Sequence, residues 1–153
     1  MFENEEKPQR ALLVAADCGE WDAEVSIEEL EELAKSAGAE VVGKVIQTRS
    51  EYDRATLVGQ GKLREIKEFC EAEEINLLIF DHELTAANIR NLEEATGVGV
   101  IDRTMLILDI FAKRAQSRAG RLQVELAQYK YRLPRLEGMG KNLSRLGGGV
   151  GTR

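Results

Sequence analysis

The residues of this 153-residue chain whose types could do chemistry fall into five groups. The lone histidine, His82, stands between Asp81 and Glu83, an arrangement that could supply a general base. It has no activated nucleophile close in sequence, so it reads as a solvated turn residue. Asp17, Asp81 and Asp102 each follow an apolar run. If those runs are parallel strands, the three carboxyls gather at the carboxyl edge of the sheet, where open α/β folds bind ligands and where magnesium or a phosphate handler would need converging oxygens. No adjacent acidic pair follows Ala16, however, and aspartate favours caps and turns for local reasons. Gly59-Gln60-Gly61-Lys62 invites comparison with a phosphate loop, but a Walker A motif would need glycine at 56 and serine or threonine at 63, where Thr56 and Leu63 stand. What remains is a loop opening a helix, with Gly59, Gly61 and Lys62 as a weak anion site. Cys18 and Cys70 form no C-x-x-C pair and read as reduced thiols, neither a disulfide nor a zinc site. No catalytic or metal-ligating residue is assigned.

The fifth group is basic. Residues 1–102 hold 10 Lys/Arg against 24 Asp/Glu, a net of −14, whereas 103–153 hold 11 against 3, a net of +8. Such asymmetry points to an interaction segment on a solubilising body, with nucleic acid the first partner to consider. Only Asp109, Glu125 and Glu137 are available to neutralise the basic segment internally. Arg132, Arg135, Lys141, Asn142, Arg145, Gly147, Gly148, Gly149 and Arg153 are the candidate RNA-binding residues: cations supply salt-dependent attraction, and glycines let backbone approach phosphate closely. Aromatics are only 5% of the chain, too few for a surface built on base stacking. No apolar run reaches the roughly 18 residues of a membrane span. The start is acidic where a secretory leader would be basic, so the expectation is a cytoplasmic protein.

The elements that must position these groups alternate. Residues 1–10 read as a flexible tail, and 11–102 as an α/β subdomain. Ala11–Ala16 is a continuous apolar run suited to a strand covered on both faces. Ser26 with Glu29 has the form of a capping box opening a helix with Ile27, Leu30, Leu33 and Ala34 inward. Val41–Ile46 is a second strand, and Leu63, Ile66, Phe69 and Cys70 mark another helix. Leu77–Phe80 is a third strand; Thr85 starts a helix that Gly97 stops; Val98–Ile101 is a fourth strand. Alternation of this kind predicts an α/β fold with a parallel sheet of about four strands and flanking helices; the expected strand order is 2-1-3-4. From 103 to 137 a single long helix is expected, capped by Asp102. Its apolar positions Leu108, Ala112, Ala115, Ala119, Leu122, Leu126, Tyr129, Leu133 and Leu136 alternate steps of four and three, a coiled-coil seam that wants a partner. Left alone, the seam predicts a homodimer, a fold-back onto the sheet, or disorder of its far end, with Gly120 the expected bend. Residues 138–153 read as a glycine-rich basic loop.

The stretches Asp102-Arg103-Thr104, Leu106-Ile107-Leu108-Asp109-Ile110-Phe111-Ala112, Leu122-Gln123-Val124-Glu125-Leu126-Ala127-Gln128, Leu133-Pro134-Arg135-Leu136 and Ser144 to Arg153 resemble the N-terminal region of HflX-type GTPases. That resemblance implies an α/β subdomain followed by a pair of long antiparallel helices whose connecting basic loop reaches toward the peptidyl-transferase centre. It further implies a GTPase domain in cis, GTP and Mg as that domain's ligands, and the large ribosomal subunit and its rRNA as partners in ribosome splitting. These 153 residues carry no Walker A or guanine-reading motif, so by themselves they are expected to bind rather than to catalyse. The rival reading is a small-molecule or phosphate-binding domain using the carboxyl edge near Asp17, Asp81 and Asp102.

Overall fold

The computed structural model describes residues 8–137. In chain order the elements are β1 (Arg10–Asp17), α1 (Ala23–Ser36), β2 (Glu40–Thr48), α2 (Gln60–Glu73), β3 (Leu77–Phe80), α3 (Ala86–Thr96), β4 (Gly99–Asp102), α4 (Arg103–Arg114) and α5 (Arg118–Glu137). The four strands make one parallel sheet, as the alternation predicts, in the order β2-β1-β3-β4.

β1 lies inside the sheet with helices on both faces, which is why its run carries no polar alternation. Leu12 and Val14 point to one face and, with Leu78 and Phe80, meet Leu63 and Ile66 of α2 and Ile89 and Leu92 of α3. Leu13 and Ala15 point to the other face and, with Ile79, meet Ile27, Leu30 and Ala34 of α1 and Leu106 and Ile110 of α4. This period-two division puts every side chain from Ala11 to Ala16 at no more than 1% exposure. Burial of one such leucine stabilises the fold by about 1.5–3 kcal/mol.

Local chemistry sets the helix ends. Thr85 accepts from the Asn88 backbone N–H at 3.0 Å while the Asn88 side chain accepts from Thr85 N at 3.1 Å, a reciprocal cap on α3. Gly97 ends that helix at φ 78°, a left-handed conformation glycine adopts without a Cβ clash. The expected Ser26–Glu29 cap is not what opens α1. Asp22 does so, accepting from Val25 N at 3.2 Å, and Ser26 and Glu29 instead face other elements.

The single long helix expected over 103–137 is two helices. Ala115 turns to extended backbone at ψ 125°, and the Ser117 hydroxyl oxygen accepts from Gly120 N at 2.9 Å at the start of α5. Gly120 therefore lies in the first turn of the second helix and is not the bend. A serine that satisfies one orphan N–H makes a new start at Ser117 cheaper than carrying a glycine through a helix interior. After the break α5 folds back against α4 and α3. The heptad seam splits accordingly: Ala112 is half-buried, whereas Leu122, Leu126, Tyr129 and Leu133 are 44–63% exposed.

Candidate functional site

Parallel strands bring their C-terminal ends to one edge, so Asp17, Asp81 and Asp102 do share it, with Phe80 of β3 in register with Asp102 of β4. They do not converge. Asp17 folds onto its own turn, accepting from Gly19 N at 2.9 Å. Asp81, buried, receives the Ser26 hydroxyl at 2.5 Å and the Arg103 guanidinium at 2.7 Å, and Arg103 also reaches Ser26 Oγ at 2.9 Å and Glu29 at 3.1 Å. Asp102, fully buried, accepts from Leu84 N at 3.0 Å, Met105 N at 3.0 Å and the Tyr131 hydroxyl at 2.5 Å. Asp81 and Asp102 fasten neighbouring elements, Asp17 braces its own turn, and no group of three acidic, histidine or cysteine side chains is placed to hold a metal among the described residues.

His82 is not a solvated turn residue. Its Nε2 accepts from Ala16 N at 2.8 Å, and its ring sits between Trp21 and Tyr52 in edge-on contacts at 5.2 and 5.5 Å. Tyr52 in turn donates to Glu20 at 2.8 Å. Burial pulls the His82 pKa below its ordinary value, against Asp81 and Glu20, which pull the other way. A neutral imidazole serving as acceptor for a strand-end N–H is a clamp between β1 and the loop after β3. It offers no base to a substrate.

At the start of α2 the structure does bring Gly59, Gly61 and Lys62 together, and it adds Arg49, which sequence reading missed. Arg49 comes near because β2 ends above the helix: a Cβ on Gly59 would stand 2.4 Å from its Nη1. The groups there already have partners. Gly59 N donates to Gln47 Oε1 at 2.9 Å, and Lys62 pairs with Glu65 at 3.0 Å. Leu63 is in the core where a magnesium-binding hydroxyl would be needed, and the Thr56 hydroxyl donates to Val58 O at 2.9 Å. These residues do not fit a Mg–nucleotide.

The basic helix presents a different balance. Its inner face carries Gln128 and Arg132, which reach Asp109 of α4 at 3.0 and 3.3 Å, and Tyr131, which reaches Asp102. Arg121 donates to the backbone carbonyl of Gln116 at 3.3 Å. Arg118 and Lys130 are exposed and have no ion pair among the described residues. Arg135 lies in α5; Lys141, Asn142, Arg145, Gly147, Gly148, Gly149 and Arg153 lie outside the described residues. Besides Arg49, Arg103 and Tyr131 are residues whose roles sequence reading overlooked. Arg103 hides as the first residue after a cap, and Tyr131 falls between the seam positions Tyr129 and Leu133, on the opposite face of the helix.

The α/β part carries a family match: residues 24–112 match the family described as GTP-binding GTPase N-terminal, and residues 114–153 match the GTP-binding GTPase middle region. The chain belongs to the GTP-binding GTPase N-terminal family. It is 56% identical over 145 residues to GTPase HflX of Caldanaerobacter subterraneus subsp. tengcongensis, covering 95% of this chain and 34% of that protein. To GTPase HflX of Escherichia coli K12 it is 39% identical over 153 residues, 100% of this chain and 36% of the relative. The chain thus spans about a third of the length of these relatives. A GTP-binding protein from Sulfolobus solfataricus, solved in complex with GDP, superposes with a TM-score of 0.64 at 28% identity over 87% of this chain and 40% of its own.

Proposed function

We propose that this chain is the ribosome-binding part of an HflX-type GTPase, with α5 and the basic residues that follow it lying on large-subunit rRNA. GTP hydrolysis, with its Mg, belongs to sequence beyond the third of the relatives' length that this chain covers, and the setting is the cytoplasm. The observation that carries the reading is the one-sided charge of α5. Among the described residues Arg132 alone of its cations is ion-paired, to Asp109, while Arg118 and Lys130 stand in solvent. Exposed cations that the protein's own acids leave unneutralised are the means by which polyanion is attracted.

The outward stripe Leu122, Leu126, Tyr129 and Leu133 supports the second helix that the resemblance implies, since soluble proteins cover such faces. Where that helix is lacking, the same stripe is the surface for a homodimer. No helix among the described residues is long and apolar enough to cross a membrane.

The test is binding of the 153-residue chain to purified large subunits across a salt series. Affinity should fall steeply with salt, and replacing Lys141 and Arg145 with alanine should lower the log–log slope by roughly two. Salt-insensitive binding, or a double variant with an unaltered slope, rejects the reading.

A further inference from the structure

α5 is attached to the body in an unusual way. Neither buried apolar cluster contains any α5 residue, and the inner face of the helix, Gly120, Val124, Gln128 and Tyr131, is only half-buried. Leu122, Leu126, Tyr129 and Leu133 point to solvent. Among the described residues it is held by polar contacts, Gln128 and Arg132 on the half-exposed Asp109 and the Tyr131 hydroxyl on the fully buried Asp102.

Asp102 is suited to let go. Without Tyr131 it still accepts from Leu84 N and Met105 N, so the buried carboxylate is not orphaned. Neither buried apolar cluster includes a residue of α5, and the non-helical residues 115–117 between α4 and α5 supply a place for the chain to turn. We propose that the Tyr131–Asp102 hydrogen bond is a latch that holds α5 on the carboxyl edge of the sheet, and that its release lets α5 swing about residues 115–117 as one arm. The use of such a swing, to redirect the basic segment, rests on the function proposed above. The latch itself is a property of the free chain.

Hydrogen exchange on the free 153-residue chain tests it without ribosomes. Tyr131→Phe keeps the ring and removes only the donor. Amides of residues 118–134 should then exchange at least tenfold faster while those of β1 and β3 stay within twofold of wild type, and Leu126→Ala on the outer face should change neither. Spin labels at Lys130→Cys and Glu94→Cys should gain a longer-distance population in Tyr131→Phe. Unchanged exchange and distances in that variant overturn the latch, as does a parallel rise in β1 and β3, which would make the bond a general stabiliser. A swinging arm in a chain that ignores large subunits would uphold the latch and refute the proposed function.

Discussion

Replacing Arg103 with alanine removes the cation beside a carboxylate that water barely reaches. The Asp81 side chain is 2% exposed and the Arg103 side chain 27%, with Nη1 2.7 Å from Asp81 Oδ1. Breaking a fully buried pair by deleting one partner costs about 3–5 kcal/mol, because a charge is left without compensation. Two features reduce that here. Ser26 still donates to Asp81, and the guanidinium is over a quarter exposed, so part of its attraction is already screened. The bond to Glu29, whose side chain is 62% exposed, adds little. The expected loss is therefore about 2–3 kcal/mol, and for a domain of this size roughly 5–10 °C in Tm. Urea titration of wild type, Arg103→Ala, Asp81→Asn and the double variant measures it. If the source is the stranded carboxylate, the double variant is more stable than Arg103→Ala by about 1 kcal/mol or more, since Asp81→Asn removes the stranded charge. A single variant within 0.5 kcal/mol of wild type, or a double variant no better than the single, refutes the reasoning.

His82 and the α3 cap give two further tests. The folded-state pKa of His82 lies below the unfolded value near 6.5, so the unfolded chain binds more protons in that window and stability falls as pH drops through about 6.5. His82→Gln keeps an acceptor for Ala16 N and does not titrate. The stability difference between wild type and this variant should shrink or reverse from pH 7.5 to 5.5 in urea titrations, and a constant difference would contradict the clamp. Thr85→Ala should cost about 1 kcal/mol by removing one half of the reciprocal cap, read as roughly 2–4 °C in Tm, while Thr104→Ala, outside any cap, serves as the control.

How much of this was legible in sequence depends on the range of the interaction. The four strands and the two packed faces follow from continuous apolar runs alternating with helical periodicity, signals that act over a few residues; the order 2-1-3-4 is the flavodoxin-like arrangement, and no local signal carries it. The α3 start at Thr85 and the stop at Gly97 were readable for the same reason. The fate of Ser26, Glu29 and Arg103 was not. Asp81 lies 55 residues from Ser26 and 22 from Arg103, and only the folded sheet edge brings them together. The serine–glutamate pattern was real, but Asp22 stood closer to the first helical turn and took the cap, leaving Ser26 to a tertiary partner. The break at 115–117 was hidden by a heptad pattern that runs through it without a miss. Periodicity reports which side chains could share a face; it does not say that the backbone carries them on one straight axis.

The carboxyl edge shows why the candidate function moved away from where this fold usually keeps it. In an open parallel sheet the strand ends offer backbone N–H groups, helix N-termini and acidic side chains to a ligand. Here each of those acidic groups meets the protein: Asp81 joins α1 to α4, Asp102 joins β4 to the loop before α3 and to α5, and His82 closes β1 against the turn after β3. An edge so occupied has little left for a small molecule. It makes instead a rigid seat on which a cationic helix can rest beside a strongly acidic body. The net charge of −14 on residues 1–102 would repel a polyanion, and screening with a Debye length near 8 Å at physiological salt keeps that repulsion local. A polyanion approaching such a molecule is turned from the body and drawn to the arm, so the segregation of charge would fix the orientation of binding before any specific contact forms.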